Sequence, residues 1–187
     1  MKELSLNVLD IVQNSLTAEA SLVKIDLTED ENGWLTLSVA DNGKGMSEEV
    51  LKGVTDPFYT TRTTRKVGLG IPLLKLSAEQ TGGFVEITSK QRSEGTTDHG
   101  TVIKATFDTK SIDFTPIGDM VSTLCSLVQR GGEVDFEFSH VTPKGSVTLK
   151  TAEMRQMLGA DIPLNSFEVL VWLKDYLTEQ YEALKTN

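Results

Sequence analysis

Two spacings of apolar residues along the chain predict its helices and strands. Between residues 4 and 18 the apolar side chains recur at helical spacing, as Leu4, Val8, Leu9, Ile11, Val12 and Leu16. Strict alternation of apolar and polar residues predicts strands at 22–27, 34–40, 84–89 and 101–107, each with one buried and one wet face. Strands of this kind are typical of an antiparallel sheet that helices cover on one side only.

Capping residues predict two further helices between these strands. Ser47 is a good N-cap and is followed by two acids, so a short helix begins after it. Pro72 lies in the first turn of a second helix, which ends at Gly82 and Gly83. Between the two helices, residues 53–67 form a loop rich in threonine, proline and arginine, which is either a functional lid that wraps an anion or an exposed basic loop.

The pattern changes in the C-terminal part of the chain. It predicts an amphipathic helix at 117–130, paired strands around 134–138 and 147–149, and helices at 151–158 and 165–184. We therefore expect an α/β domain at residues 1–110 and a C-terminal helix-strand extension at 111–187 that packs on it. Any exposed part of the apolar last helix is expected to be a partner or dimer surface.

Charge and composition narrow the functional classes. The chain has 187 residues and a net charge of −9, which argues against a nucleic-acid partner because neutralising phosphates needs clustered lysine and arginine. No apolar run approaches a membrane span and no signal-peptide profile is present, so we expect a cytoplasmic protein without a membrane partner. The single cysteine, Cys125, excludes an intrachain disulfide.

The most informative stretch is a carboxylate followed by alternating glycines, Asp41-Asn42-Gly43-Lys44-Gly45-Met46. A carboxylate can accept a hydrogen bond from the amino group of adenine, whereas guanine has a carbonyl at the matching place. Asn-Gly after an alternating strand is also a strong hairpin signal, so a plain turn is the alternative. The segment after it has the pattern of a helix and not of a returning strand, which weakens the hairpin interpretation.

Polar side chains recur along one edge of the first predicted helix, at Asn7, Asp10 and Asn14. Such an edge is either a solvated face or a line of oxygen donors to a site. Because Asp and Asn are mediocre helix formers, their alignment favours the second interpretation. Further along, Gly68 and Gly70 begin a helix and leave free amides at its positive end, which suits a phosphate.

Three motifs in order resemble those of the GHKL ATPases, which include gyrase, the large heat-shock chaperone, histidine kinases and MutL. They are Asp10-x-x-x-Asn14, Asp41-x-Gly43-x-Gly45 and Gly68-Leu69-Gly70. The resemblance covers roughly residues 4–108 and is closest to a stand-alone histidine-kinase-like ATP-binding domain. It implies the Bergerat fold, a two-layer α/β sandwich with a mixed, largely antiparallel sheet and helices on one face.

The resemblance also implies roles for individual residues. Asn14 would bind Mg²⁺ through its amide oxygen, and Asp41 would accept a hydrogen bond from the adenine amino group. Thr101 would support Asp41 through a hydroxyl or a water. The other residues implied to contact ATP are Gly43, Gly45 and Met46 around the base, Thr60, Arg62 and Lys66 from the lid, and Gly68, Leu69 and Gly70 at the phosphates.

Two departures from the family pattern bear on the reaction. Hydrolysing members carry glutamate as general base where this chain has Asp10, which is one methylene shorter. The asparagine helix begins almost at Met1, and neither His99 nor His140 lies in a plausible acceptor helix, so autophosphorylation on histidine in cis is not expected. His99 is predicted to be a loop residue.

We therefore predict a magnesium-dependent ATP-binding protein that acts in trans on a partner protein, as an ATP phosphohydrolase or as a histidine-kinase-like or serine-kinase-like phosphotransferase. A kinase needs no strong general base, because positioning and charge neutralisation carry most of phosphoryl transfer. The alternative is an ATP-sensing interaction module with little or no turnover. A homodimer is open in either case.

Overall fold

The alternating apolar residues form one six-stranded sheet in the computed structural model, which describes residues 3–54, 69–159 and 161–186. The helices are α1 (Leu4–Thr17), α2 (Glu48–Gly53), α3 (Gly70–Gln80), α4 (Met120–Gly131), α5 (Thr151–Leu158) and α6 (Phe167–Thr186). The strands are β1 (Leu22–Glu29), β2 (Trp34–Asp41), β3 (Val85–Lys90), β4 (Gly100–Asp108), β5 (Asp135–Thr142) and β6 (Gly145–Lys150).

The sheet is mixed and largely antiparallel. Its strands lie in the order β3-β4-β2-β1-β5-β6. The pairs β1–β2, β2–β4, β3–β4 and β5–β6 are antiparallel, whereas β1 and β5 are parallel. This confirms the predicted fold class.

Helices cover one face of the sheet. Residues such as Ile25, Leu37 and Phe138 point into a single apolar core, which they share with the buried sides of α1, α3, α4 and α6. The other face is polar. It carries the ion pair between Lys24 Nζ and Glu137 Oε2 at 2.9 Å, which joins β1 to β5. One-sided coverage explains why the strands alternate so regularly, since only one face of each strand is removed from water.

The C-terminal residues extend the sheet that the first four strands begin. Residues 22–28 of β1 pair in register with residues 135–141 of β5. The loop before α4 also holds α1, because the amides of Leu4 and Ser5 donate to the carbonyls of Pro116 and Ile117 at 2.9 and 2.8 Å. These are two of the donors that a helix leaves unpaired at its start. The predicted domain boundary at residue 110 stays a prediction.

The largest differences from the predicted bounds are at the start of α4 and at the end of β5. Helix α4 begins at Met120 and not at 117, because Gly118 has a φ of 81° and the Asp119 carboxylate accepts from Ser122 N at 2.9 Å as an N-cap. Strand β5 continues to Thr142 beyond the predicted 138, with His140 on its buried face. A buried histidine interrupts the apolar alternation, and this made the strand look shorter than it is.

Within the described ranges, each helix is too short or too polar to cross a membrane.

Candidate functional site

A cleft of about 750 Å³ opens between the end of α1, the ends of β2 and β4, and the region of α2. Five of the residues predicted to contact a nucleotide line it: Asn14, Asp41, Gly45, Met46 and Thr101. They come from α1, from the end of β2 and its following loop, and from β4. The structure therefore places the asparagine of the first helix and the acid of the second strand on the same cleft.

The Asp41 carboxylate is fixed by two hydrogen bonds. Gly43 N donates to Oδ1 at 2.9 Å, and the Ser15 hydroxyl donates to Oδ2 at 2.7 Å. A carboxylate offers about four lone-pair sites, so roughly two remain for a ligand in the cleft. Ser15 was not singled out in the sequence, although it directly follows Asn14 and lies one helical turn after Ile11, which also lines the cleft.

Asn42 ties the glycine loop to the start of β1. Its Oδ1 accepts from the amides of Ser21 and Leu22 at 2.9 Å each, and its Nδ2 donates to Ser21 Oγ at 2.8 Å. The chain then runs on to α2, without a returning strand. The Asn-Gly pair is therefore an anchored loop at the cleft and not a hairpin turn.

Both glycines of the loop lie against other parts of the backbone. A Cβ on Gly43 would stand 2.7 Å from the Ala18 carbonyl oxygen. Gly45 has a φ of 67°, and a Cβ there would stand 2.1 Å from the Lys90 carbonyl oxygen. Only glycine fits such approaches and such a backbone conformation without displacing its neighbours. The loop is thus clamped between the end of α1 and the end of β3.

Thr101 lies beside Asp41, since the two residues are paired in register across β2 and β4. Its hydroxyl contacts Ser89 Oγ at 2.8 Å, and Ser89 Oγ in turn accepts from Met46 N at 2.8 Å. Thr101 therefore positions the loop through Ser89, and the hydroxyl bonded directly to Asp41 is that of Ser15. A contact from Thr101 to Asp41 through a water stays a prediction.

His99 has a role that its sequence context did not indicate. Its Nδ1 lies 2.7 Å from the carbonyl oxygen of Gly43. Because a carbonyl oxygen can only accept, Nδ1 carries the proton. The ring is half-buried and holds the glycine loop at Gly43. The sequence feature that could have indicated a role for His99 at the cleft is its position directly before Gly100 and Thr101.

The rim of the cleft carries two cations that sequence reasoning passed over, Lys44 and Arg92. A backbone ladder brings them together, because Arg92 N donates to Lys44 O and Lys44 N donates to Ala18 O, each at 2.8 Å. Arg92 Nη1 lies 3.8 Å from Glu19 Oε2, and both side chains are exposed. These cations supply positive charge at the cleft of an otherwise acidic chain.

Asp10 and Gly70 lie beside each other where α1 crosses the start of α3. A Cβ on Gly70 would come within 3.0 Å of Asp10 Cβ. Asp10 is exposed, but neighbouring residues of the chain exclude water from part of its carboxyl. This partial desolvation raises the pKa of Asp10 above the ordinary 3.8. Leu69 is exposed at the N-cap of α3. Thr60, Arg62, Lys66 and Gly68 lie outside the described residues, as do residues 55–67 of the predicted lid.

The predicted polar edge of α1 is only partly correct. Asp10 and Asn14 are exposed, whereas Asn7 is completely buried. Among the described residues, neither the amide oxygen nor the amide nitrogen of Asn7 has a hydrogen-bond partner. Asn7 therefore belongs to the buried side of α1 and not to a wet edge.

The donors at the cleft fit a magnesium nucleotide better than a metal held by protein alone. Among the residues that the structure describes, no three His, Cys, Asp or Glu side chains are grouped as a metal site. Mg²⁺ is usually bound through one or two protein oxygens and completed by substrate phosphates and waters. The exposed amide of Asn14 on the cleft can supply one such oxygen.

Comparison with known proteins agrees with the geometry. Residues 2–111 match the family described as histidine kinase-, DNA gyrase B-, and HSP90-like ATPase. A putative sensor histidine kinase, NtrY-like, from Rickettsia conorii is 26% identical over 114 residues, which are 60% of this chain and 18% of that protein. The sensor histidine kinase ZraS from Escherichia coli is 31% identical over 90 residues, 48% of this chain and 19% of ZraS.

The fold likeness extends further along the chain than the family match. The N-terminal domain of a DNA repair protein superposes with a TM-score of 0.52 at 15% identity, over 80% of this chain and 52% of that one. This chain spans less than a fifth of the length of the two sensor kinases. The family match alone covers more than half of the chain. The chain therefore belongs to the histidine kinase-, DNA gyrase B- and HSP90-like ATPase family, and this implies that it binds ATP.

Proposed function

We propose that the cleft binds ATP with Mg²⁺ and that the chain cleaves or transfers the γ-phosphate, acting in trans on a partner protein. The observation that carries the proposal is the convergence of Asn14 and Asp41 on one cleft. A cytoplasmic location and a homodimer belong to the same proposal.

Recognition of the base follows from the hydrogen-bonding capacity of Asp41. With its two oxygens held by Ser15 and Gly43, the carboxylate keeps lone pairs for a donor in the cleft. Adenine offers an amino group there, whereas guanine offers a carbonyl that would face the carboxylate with like charge. The proposed ligand is therefore an adenine nucleotide.

The metal and the phosphates belong on the side of the cleft nearer to α1. Asn14 supplies a neutral hard oxygen, which suits a Mg²⁺ ion that the phosphates already coordinate. Gly70 and Leu69 begin α3, where free amides and the helix dipole favour negative charge. When bound, the ion would supply charge neutralisation at the phosphates.

Asp10 would act near the phosphates, and its position beside Gly70 at the start of α3 supports this role. Partial desolvation raises its pKa, which moves the carboxyl toward the range of a useful proton acceptor. We assign it the role of orienting the attacking group, a water in hydrolysis or an acceptor hydroxyl or imidazole in transfer.

An acceptor in trans agrees with the state of the two histidines of this chain. His99 is bonded to the glycine loop through Nδ1. His140 is 4% exposed and lies between Glu29 and Tyr181, with its ring nitrogens 2.8 and 3.1 Å from Glu29 Oε1 and Tyr181 Oη. Both rings are engaged in structural contacts, which supports an acceptor on another protein.

A nucleotide-sensing module with little turnover is the second candidate. The shorter side chain of Asp10 favours this candidate. Hydrolysing members of the family have a glutamate at this position, and a water in the place where that glutamate holds it would lie farther from the Asp10 carboxylate. In that case ATP binding would change a surface that a partner recognises.

Incubation of the purified chain with γ-labelled ATP and Mg²⁺ separates the two candidates. Label released as phosphate, or found on an added partner protein, supports the proposed reaction. Stoichiometric ATP binding with neither outcome favours the sensing module. Failure of ATP to bind at millimolar concentration would contradict both.

A further inference from the structure

A second concavity, unrelated to the nucleotide cleft, lies between α5 and α6. This α5–α6 groove has a volume of about 660 Å³. It is lined by Met154, Met157, Leu158, Ile162, Pro163 and Val169, with Trp172, Asp161, Ser166 and Glu168 at its walls. All of these residues lie beyond the part of the chain that matches the family.

The apolar residues of the groove are unusually exposed. Met157 is 77% exposed, Trp172 is 50% exposed and Ile162 is 45% exposed. Single exposed apolar residues are common on protein surfaces, but a contiguous concave group of them typically marks a binding site. Methionine adapts its shape to a ligand and tryptophan is a frequent anchor residue of interfaces, so the composition suits protein recognition.

The apolar surface continues along α6. Trp172 stacks on Tyr176, with ring centroids 5.0 Å apart and an angle of 12° between the rings. Phe167 at the start of the helix is 77% exposed. The stacked pair presents a rigid flat surface beside the groove, and a rigid surface loses little entropy when a partner binds.

The charges around the groove are acidic. Asp161 and Glu168 are the charged residues among its described lining, and neither takes part in an ion pair within the part of the chain that the structure describes. Two cations nearby in sequence are engaged elsewhere: Arg155 Nε lies 2.9 Å from Asp135 Oδ1, and Lys150 Nζ lies 3.3 Å from Glu153 Oε1. Lys174 of α6 is not among the described lining of the groove. An occupant with positive charge would therefore meet unpaired acids.

We propose that the α5–α6 groove binds an amphipathic helical segment of a partner protein, with apolar residues on one face and lysine or arginine beside them. Apolar grooves between helices recognise such segments through anchors one helical turn apart. The acidic wall disfavours the other occupants. A second copy of this chain that docked here about a two-fold axis would bring the same acids against Asp161 and Glu168, and an anionic membrane surface would also be repelled.

Fluorescence of Trp172 tests the proposal directly. The chain has two tryptophans, so Trp34→Phe leaves Trp172 as the sole reporter. The probes are two 18-residue model peptides with identical leucine spacing on one helical face, one carrying lysines on the polar face and the other glutamates. The lysine peptide is expected to shift Trp172 emission saturably at one peptide per chain, with affinity that falls as salt rises. The glutamate peptide should cause no shift.

Matched variants locate the site. In the Trp34→Phe background, Met157→Ala should weaken binding of the lysine peptide about tenfold and Glu168→Gln about threefold. The controls are Ile112→Ala, at a residue that is 99% exposed, and Glu179→Gln, at an exposed acid of α6 outside the groove. Both controls should bind like the parent.

The proposal is overturned by equal binding of the two peptides, by equal effects in the control variants, or by no saturable shift at millimolar peptide. It is also overturned if sedimentation shows a dimer and dimer formation alone shifts Trp172 emission. A shift produced by anionic vesicles would overturn it too. ATP binding measured on the same samples keeps this outcome separate from the proposed function, since the groove does not share residues with the nucleotide cleft.

Discussion

The Asp41 carboxylate is held in place by the chain itself, because its two oxygens accept from different parts of the chain. Gly43 N belongs to the loop that directly follows β2, whereas the Ser15 hydroxyl comes from α1. Two bonds of different origin fix the carboxylate rotamer and leave its remaining lone pairs on the cleft. Such positioning reduces the free-energy cost of ordering the site on binding.

His99 is expected to position the glycine loop without touching the nucleotide. His99→Ala removes the bond to the Gly43 carbonyl and should weaken ATP binding about fivefold, the equivalent of one neutral hydrogen bond. His99→Asn should restore most of the affinity, because its amide nitrogen is as many bonds from Cα as Nδ1 is in histidine. Calorimetric titration with ATP measures both, and thermal unfolding of each variant should match the parent. Equal losses in the two variants would assign His99 another role.

Asp10 should reduce stability at neutral pH, as expected of a group kept for function. Its folded pKa is raised, so its contribution to stability is fully present below the ordinary pKa of 3.8 and is lost as pH rises through the folded pKa. Asp10→Asn should therefore raise the free energy of unfolding at pH 7, with a gain that shrinks as pH falls toward 3. Urea unfolding across this pH range measures the effect.

The same variant separates stability from chemistry. Asp10→Asn should bind ATP like the parent but lose most of its turnover or transfer. Asp113→Asn, at an exposed acid away from the cleft, is the matched control and should change neither property. Unchanged turnover in Asp10→Asn would remove this residue from the reaction.

The sequence predicts the site residues that belong to recognisable motifs. It does not reveal the residues whose role depends on a hydrogen bond to a residue far along the chain. Asp41 and Asn14 could be found because carboxylate, amide and glycine residues recur in a known order. Ser15 and His99 act through bonds to residues 26 and 56 positions away, which no local pattern contains. Asn7 was misassigned for the same reason, since its spacing on the helix does not reveal that it is completely buried.

At the scale of the elements, the glycine loop joins the end of α1 to the end of β3. Gly45 meets the Lys90 carbonyl, and Arg92 N bonds to Lys44 O just beyond it. The loop thus forms part of the cleft wall between the end of α1 and the end of β3. Its shape depends on the absence of a side chain at Gly45.

Gly45→Ala tests this dependence against a matched glycine. Gly95 has a similar φ of 79°, but a Cβ there would meet nothing within 4 Å. Gly95→Ala should cost about 1 kcal/mol of unfolding free energy from backbone strain alone, and Gly45→Ala should cost more because its Cβ would clash with the Lys90 carbonyl. Urea unfolding measures the costs. Only Gly45→Ala should also weaken ATP binding, and equal effects of the two substitutions would contradict the clamped loop.

The types of most of the described helices and strands could be predicted because they have a regular apolar period, whereas α2 could be predicted from its N-cap. Their ends could be predicted only where a cap is visible in the sequence. Ser47 marks the start of α2, and its hydroxyl accepts from Val50 N at 3.3 Å. Asp119 caps α4 in the same way, but the apolar Ile117 before it suggested an earlier start.

At the scale of the whole molecule, the sheet runs without interruption from the strands of the nucleotide cleft to those beside the α5–α6 groove. The parallel pair β1–β5 makes this connection. Local periodicity cannot predict such a pair, because it joins residues as far apart in the sequence as Leu22 and Asp135. The strands of the predicted extension continue the sheet of the predicted domain, and the boundary between the two stays a prediction.

A shared sheet should unfold as one cooperative unit. The amides of Leu37 in β2 and Phe138 in β5 should exchange with solvent hydrogen through openings whose free energies agree within about 1 kcal/mol. Native-state hydrogen exchange at low denaturant measures both. An opening of β5 and β6 several kcal/mol below that of β2 would instead support an independent extension after residue 110.

The central claim, that Asn14 and Asp41 hold one magnesium nucleotide, is tested most directly by calorimetric titration of ATP with and without Mg²⁺. The parent should bind one ATP per chain, more tightly with Mg²⁺. Asn14→Ala should lose that gain, while Gln13→Ala on the same helix keeps it, and Asp41→Asn should weaken ATP binding about tenfold or more and bring it close to that of GTP. Parent-like binding by both Asn14→Ala and Asp41→Asn would contradict the claim.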